Sequence, residues 1–514
     1  METILNEAVL AQWKGCHTYE ETIVKQLKSA SATAGTRNKF TYTAEFKKDL
    51  STWISSQFTA PSSPALRCAI LEVVRIMARD VNGVHALLSE TLTECILDAS
   101  GLPAICEAKR TPDERLEAIK CLINELPRCD RCRVLFMKKG GDSGLVSALD
   151  YIDREGPETR YFLVRLASHV AATIPKLQRT WRADPAVTRA LYRIAASFAS
   201  DERSADEALK TLYTLYRMDD AMNIELSTID SENLKTCVLL IHNVPKGSNI
   251  LQNTIHLVAC LTLDVDIVCP KVEDDSPLSY GGRAMDIPQI VMDDLSDRLA
   301  VTTEPEALEC LGSSMIFLYA LCAVCKEARR FCRLKILPPL EAAEVERPPE
   351  QGDTMRNRLI SVRLMQSNSN SRVRMVAAEL AFVLCKRSVN RLIKYTGFGH
   401  SAGLLTNSGL LGRINEGRRA SDSEDSETDD YAEVEDQVNP VTGYIRPDGP
   451  KVEMSEAQRE YEAQKLADSM YKLLESGVIK PSVIGPDGRP RPVSHVLEMV
   501  ANVKTPPGSD SDSD

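Results

Sequence analysis

The stretch DERLEAIKCLINEL, residues 113–126, decides the fold class. Its apolar positions Leu116, Ile119, Leu122, Ile123 and Leu126 recur at three-and-four spacing, which lines one face of an α-helix. The same spacing runs through ALRCAILEVVRIMARD (65–80), TRYFLVRLASHVAATI (159–174), AVTRALYRIAASFA (186–199) and ADEALKTLYTLYRM (205–218). It continues in NTIHLVACLTL (253–263), ALECLGSSMIFLYALCAVCKEARRFCRL (307–334) and SRVRMVAAELAFVLCK (371–386). No stretch keeps the strict two-residue alternation of a half-buried strand. The early segments centre near residues 73, 120, 166 and 212. Steps of roughly 45 residues are those of HEAT and armadillo repeats. Later gaps are longer and no repeat is exact. Pro61, Pro64, Pro112, Pro157, Pro185, Pro245 and Pro338–Pro339 punctuate the segments. The expected fold is therefore all-α, an armadillo/HEAT-like helical-repeat superhelix in which each unit buries its apolar face on its neighbours.

Composition agrees with that class. Of 514 residues, 43% are hydrophobic and 5% aromatic, with three tryptophans. This suits packed Leu/Ala/Val helices better than a sandwich rich in aromatic and β-branched residues. The net charge of −11 (62 basic against 73 acidic residues) opposes general binding to nucleic acid, which requires a basic surface. It also opposes an anionic membrane surface. The 15 cysteines form no compact disulfide framework. The opening METILNEAVLAQWKG lacks a basic stretch followed by an apolar run, so no signal peptide is expected. The longest apolar run, Met315–Cys325, is too short to span a bilayer. A reduced, cytoplasmic protein without a membrane span is expected.

The character changes after about residue 405. Four regions follow from it: a superhelix over 1–408, an acidic linker over 409–452, an amphipathic helix over 453–480 and a disordered tail over 481–514. Between Asp422 and Asp436 the linker carries nine acids and no base. Such a run buries too little apolar surface to fold alone. In SEAQREYEAQKLADSMYKLLESG (455–477), Ser455 and Gln458 form a capping-box signature and Gly477 supplies a stop. A tethered amphipathic helix needs a groove, on this chain or on a partner.

Catalytic signatures are sparse. There is no Walker-type phosphate loop, and KKGGDSG (138–144) reads as a turn. GFGHSAG (397–403) follows a helix rather than a strand, unlike a dinucleotide site. The seven histidines are scattered and no HExxH occurs. Two CxxC pairs, Cys129/Cys132 and Cys322/Cys325, lie nearly 200 residues apart without a third ligand nearby. Buried core is the first reading of both, with zinc or redox chemistry as alternatives. No cofactor is expected.

Recognition features are richer. Arg75 and Arg79 are four apart, on one helix face. Asn124 and Asn243 each end an apolar helical run, where they either cap the helix or reach a bound peptide backbone. CKEARRFCRLK (325–335) brings Arg329, Arg330 and Arg333 into one basic cluster, which is a solvated face or a docking surface. In the acidic block, Ser421 has Glu424 and Ser426 has Asp429 at +3, the pattern read by an acidophilic kinase. Arg418-Arg419-Ala420-Ser421 also fits a basophilic one. Phosphate adds roughly −1.5 to −2 charge per site.

RLIKYTGFGHSAGLL (391–405), the acidic SDSEDSETDDY (421–431), NPVTG (439–443) and EMSEAQREYEAQKLADSMYKLL (453–474), in that order, resemble the synembryn family. LKILPPL (334–340), MRNRL (355–359), VAAELAFVLCK (376–386), VVRIMARD (73–80) and KCLIN (120–124) extend the resemblance upstream. It implies an armadillo/HEAT-like superhelix acting as exchange factor and folding chaperone for heterotrimeric G-protein α subunits, with no catalytic chemistry of its own. It further implies that a concave surface holds the α subunit's C-terminal helix through Arg75, Arg79, Asn124, Phe162 and Asn243. Ser421 and Ser426 would be its paired phosphosites, docking near Arg329, Arg330 and Arg391. The 455–477 helix would contact the Ras-like domain of the partner. A cytoplasmic monomer that meets its partner at the cell cortex is expected. The alternative is an armadillo-type cargo adaptor, whose grooves pair asparagines with tryptophans. Trp13, Trp53 and Trp181 stand far in sequence from Asn124 and Asn243.

Overall fold

Proline marks where helices begin. Pro64, Pro112, Pro157, Pro175 and Pro185 each stand in the first turn of a helix in the computed structural model. There the missing N–H would have had no partner, and the fixed φ already suits the helix. The structure describes all residues except 1–4, 16–18, 38–41, 61, 103–109, 218–227, 274–277, 302–310, 365–370, 415–427, 446–454, 463, 466–481 and 493–514.

The described residues form two compact units, Met1–Asp264 and Val265–Asp514. The boundary falls inside the stretch that the sequence reading kept whole. The first unit contains α1 (Glu7–Lys14), α2 (Glu20–Arg37), α3 (Ala44–Thr59), α4 (Pro64–Met77), α5 (Val84–Leu87), α6 (Glu90–Ser100), α7 (Pro112–Glu125) and α8 (Asp130–Lys138). It continues with α9 (Gly141–Asp150), α10 (Pro157–Thr173), α11 (Pro175–Ala183), α12 (Pro185–Ala196), α13 (Glu202–Tyr216), α14 (Thr228–Asn243) and α15 (Asn249–Val258). One layer stacks α2, α4, α7, α10, α13 and α15 in succession. The other runs α3, α6, α8, α9, α12 and α14. Cross-layer packing of α6 on α7, α12 on α13 and α14 on α15 closes each repeat. The all-α helical-repeat class read from the periodicity is the one observed.

Apolar stripes face between the layers. On α7, Ile119, Leu122 and Leu126 are fully buried, as the spacing in 113–126 predicts. Thr111 caps the same helix through a capping box with Glu114. Gly144, in the KKGGDSG stretch, opens onto the backbone of the first unit. A Cβ there would overlap the Leu102 carbonyl, so only glycine lets α9 approach.

The second unit holds α16 (Val265–Val268), a short hairpin of β1 (Ser279–Tyr280) and β2 (Arg283–Ala284), then α17 (Asp286–Val301) and α18 (Leu311–Val324). After them come α19 (Lys326–Ile336), α20 (Met355–Leu364), α21 (Ser371–Leu384), α22 (Val389–Thr396), α23 (Phe398–Asn407) and α24 (Asp429–Val434). The apolar α18 is the hub and packs on α17, α19 and α21. The segment 307–334, continuous by periodicity, breaks at Cys325. That residue takes an extended backbone, and its sulfur accepts from the Ala328 N–H, capping α19. Cys322 and Cys325 are both buried, in keeping with their reading as core.

Two stretches read as unstructured carry order. Thr428 caps α24, and Tyr431 of that helix is 2% exposed. Lys394 lies 4.3 Å from the Tyr431 ring centroid and pairs with Glu435 at 3.8 Å. The described part of the acidic run thus has an aromatic anchor with a cation beneath it. Within the expected tail, β3 (Ser482–Ile484) and β4 (Pro490–Pro492) form a hairpin whose turn rests on Gly409. The capping box of the 455–477 helix is present, with Gln458 N–H donating to Ser455 Oγ. Its apolar residues from Leu466 onward lie outside the described residues.

Candidate partner-binding face

Side chains on the α4–α15 layer are laced together at the repeat period. Arg67 on α4 pairs with the buried carboxylate of Glu114 on α7, 47 residues on. Arg75 Nε–H donates to Glu117 Oε2 at 2.9 Å, and Lys120 Nζ donates to Glu117 Oε1 at 2.8 Å. Asn124 Nδ2–H donates to the Arg75 carbonyl at 2.9 Å. Lys120 Nζ lies 4.8 Å from the Phe162 ring centroid on α10, and Phe162 meets Tyr161 edge-on at 4.9 Å. Arg203 on α13 covers Tyr161 at 4.0 Å and donates to Glu158 at 2.7 Å. Arg165 donates to the Tyr161 hydroxyl at 2.6 Å. Asn253 on α15 donates to Asp206 at 2.7 Å, and Lys210 pairs with Asp206 at 2.6 Å.

The row follows from the sequence. An i, i+3 or i, i+4 step keeps Glu117, Lys120 and Asn124 on one side of α7. The helix above or below presents its own polar side at the same height about 45 residues away. Arg75, Glu117 and Lys120 are half-buried, so their charges are partly desolvated without being sealed from a ligand. The nearby His169 imidazole is held below its ordinary range by burial, with the Arg165 charge acting the same way.

Of the five groove residues expected from sequence, the structure brings Arg75, Asn124 and Phe162 into one cluster. Glu117 and Lys120, which the sequence reading passed over, are the links between them. Arg79 is exposed but lies past the end of α4, in a turn. The helix stops because Asp80 pairs with Lys47 and accepts from the Asn82 N–H, turning the chain toward Gly83 with φ 66°. The shared helix face proposed for Arg75 and Arg79 therefore does not exist. Asn243 ends α14 in the other layer, exposed, with its Nδ2–H donating to Leu239 O at 2.8 Å. This is the capping use of asparagine.

The phosphate-docking set separates too. Arg330 is exposed, whereas Arg329 donates to the Cys322 carbonyl at 2.9 Å. Arg391 is 3% exposed, so it is not a surface docking group. Its apolar spacing on a short helix did not reveal which side of α22 turns inward. Ser421 and Ser426 lie outside the described residues. GFGHSAG follows α22, and the N–H groups of Phe398 and Gly399 are taken by the carbonyls of Pro440 and Val441. The start of α23 is thus closed by the chain's own NPVTG turn rather than open to a phosphate. Among the described residues no group of His, Cys, Asp and Glu could hold a metal ion, and no helix is long and apolar enough to cross a membrane.

Known proteins share this sequence across nearly its whole length. A chain 34% identical over 507 residues is "Chaperone ric-8" of Caenorhabditis elegans, covering 87% of this chain and 88% of that one. "Chaperone Ric-8A" of Xenopus tropicalis is 29% identical, covering 91% and 93%. "Chaperone Ric-8A" of Gallus gallus is 30% identical, covering 88% of each. The family described as guanine nucleotide exchange factor synembryn matches residues 70–489, a span that contains Arg75, Glu117, Lys120, Asn124, Phe162 and the NPVTG closure. With its repeat helices, its acidic block and its order of motifs matched along that span, the chain belongs to the synembryn family.

Proposed function

We propose that this chain is a guanine nucleotide exchange factor and folding chaperone for heterotrimeric G-protein α subunits, working by binding rather than by chemistry of its own. The observation that carries the site is the cluster of Arg75, Glu117, Lys120, Asn124 and Phe162 across α4, α7 and α10. A helix C-terminus offers a carboxylate, unpaired carbonyls and side chains of both kinds. Arg75, Lys120 and Asn124 supply donors for the first two, and Phe162 an apolar contact. Glu117 holds the two cations in place until a carboxylate competes for them.

Exchange then follows from linkage. A factor that binds the α subunit's C-terminal helix only when it is displaced favours the nucleotide-free state. Reciprocity makes nucleotide weaken the complex by the same factor. Reversing a 1:99 equilibrium to 99:1 needs a differential of about 5.5 kcal/mol. The chaperone role is the same grip on an α subunit not yet closed around nucleotide. Phosphorylation of Ser421 and Ser426 by an acidophilic kinase would add charge to the segment that Tyr431 and Glu435 seat on Lys394. Arg330 is the exposed member of the docking set. The partner is met in the cytoplasm and at the cell cortex, by a monomer.

The test is co-elution with a GDP-loaded α subunit, followed by addition of a non-hydrolysable GTP analogue. The complex is expected to form and then to release its partner. Ser421→Ala with Ser426→Ala is expected to slow exchange in the same assay. A complex indifferent to nucleotide would instead favour a cargo adaptor. The three tryptophans, all buried, already speak against the adaptor's ladder.

A further inference from the structure

We propose that Cys129 and Cys132 form a peroxide-reactive dithiol that closes to a disulfide, a modification site at the junction of α7 and α8. Cys129 is the cap residue of α8, with an extended backbone (φ −134°, ψ 110°), and Cys132 follows in the first turn. Three residues apart across the first turn of α8, the two side chains are neighbours, and the Cys132 thiol favours the charged form of Cys129. The surroundings are built from four helices. The His85 side chain, on the short α5 next to α6, lies close enough to Cys129 to favour its charged form. The Thr93 hydroxyl on α6 shares a hydrogen bond of 3.3 Å with Cys132. Glu125, in the last turn of α7, is fully buried beside the pair, and neither carboxyl oxygen has a hydrogen-bond partner.

A buried carboxyl without a partner costs stability. It has a role if a proton must be supplied where no water is present. Burial, with the Cys129 charge adding to it, pushes Glu125 up to about 8, so the group is protonated at neutral pH. The hydrogen bond from Cys132 outweighs burial, and with help from His85 holds the Cys129 thiol down to about 5. Burial and the same contact push Cys132 upward. One thiolate, one thiol and one protonated acid therefore sit together.

Hydrogen peroxide is the oxidant. The Cys129 thiolate attacks one peroxide oxygen and the O–O bond breaks. Cys129 becomes a sulfenic acid, and the leaving hydroxide takes the Glu125 proton as water. The Cys132 thiol then attacks the sulfenic sulfur, forming the S–S bond. The sulfenic hydroxide leaves as water with the proton that Cys132 gives up to Glu125 and that returns through it. Two thiols and one peroxide give one disulfide and two waters. Both cysteines are buried. His85 and Arg131 beside them are exposed, and Arg131 donates to the His85 carbonyl at 3.0 Å, so the pair has surface residues as neighbours.

Selectivity runs against exposure, which makes the proposal testable. Cys68 and Cys95 are more accessible, but burial, with neighbouring carboxylates, pushes each up to about 11. The full-length reduced chain is treated with hydrogen peroxide, its remaining thiols are blocked with N-ethylmaleimide, and peptides are mapped by mass spectrometry. The expected result is a Cys129–Cys132 disulfide while Cys68 and Cys95 carry the label. Cys132→Ser is expected to leave a sulfenic acid on Cys129 that dimedone traps. Iodoacetamide near pH ~6 is expected to alkylate Cys129 at least about tenfold faster than Cys68 or Cys95, since the thiolate is the nucleophile. Oxidation of Cys68 or Cys95 ahead of a Cys129–Cys132 pair that reacts only after denaturation overturns the proposal. The wild-type peptide map decides this even if the serine variant does not fold.

Discussion

Glu114→Ala is expected to destabilise the first unit by about 3–5 kcal/mol, the cost of stranding one member of a buried ion pair. Urea unfolding followed by tryptophan fluorescence reads this unit alone, because Trp13, Trp53 and Trp181 all lie in it. The Glu114 side chain is 0% exposed and the Arg67 side chain 13%. Arg67 also donates to the Ser62 carbonyl, so it stays put when Glu114 is removed and its charge remains desolvated. The variant loses the capping box as well, since Glu114 Oε2 accepts from the Thr111 N–H at 2.8 Å. Arg67→Met with Glu114→Met is expected to cost less than Glu114→Ala alone, because no uncompensated charge is left behind. Burial raises the Glu114 carboxyl, but Arg67 and the Thr111 hydrogen bonds outweigh it, so the net shift is downward. The contribution is therefore present above the ordinary value of 4.5 and is lost as pH falls below it.

Asp80→Ala is expected to cost a similar 3–5 kcal/mol or so by the same measurement. Lys47 on α3 is 0% exposed, and its ammonium donates to Asp80 at 2.6 Å and to the Asn82 carbonyl. Removing Asp80 leaves a buried ammonium with one neutral acceptor. The Asx turn that ends α4 goes with it, since Asp80 Oδ1 accepts from the Asn82 N–H. Lys47→Met in the Asp80→Ala background is expected to recover part of the loss. A loss below about 1 kcal/mol, the size of an exposed pair, would mean that water reaches Lys47.

These two pairs show where sequence reading reaches its end. Helix positions were legible because burial imposes a period, and 113–126 maps onto Pro112–Glu125 with little error. The repeat step was legible for the same reason. Partner choice between charged residues was not. Arg67 and Glu114 are 47 apart and Lys47 and Asp80 are 33 apart, and many other charges stand at such distances. Only the stacking of one helix on the next selects among them. The site behaved alike. Arg75 and Asn124 stood out by their place on helices and Phe162 came from family resemblance, while Glu117 and Lys120 needed the layer to be assembled. Arg79 lies past the helix end because Asp80 has a partner on another helix, which no local pattern reveals. The break at Cys325 failed because a cysteine cap carries no glycine or proline signal.

The central claim is that the α4–α7–α10 row grips the terminal helix of a G-protein α subunit. A labelled peptide of that helix, titrated by fluorescence anisotropy, tests it most directly. Arg75→Gln with Lys120→Gln removes both cations that flank Glu117 and sets no new charge against it. The account predicts affinity at least about tenfold weaker, or 1.4 kcal/mol, with cooperative urea unfolding retained. Arg189→Gln, at an exposed position of α12 in the other layer, is predicted to bind as the unaltered chain does. Equal affinity for the double variant, or a loss on Arg189→Gln instead, would contradict it.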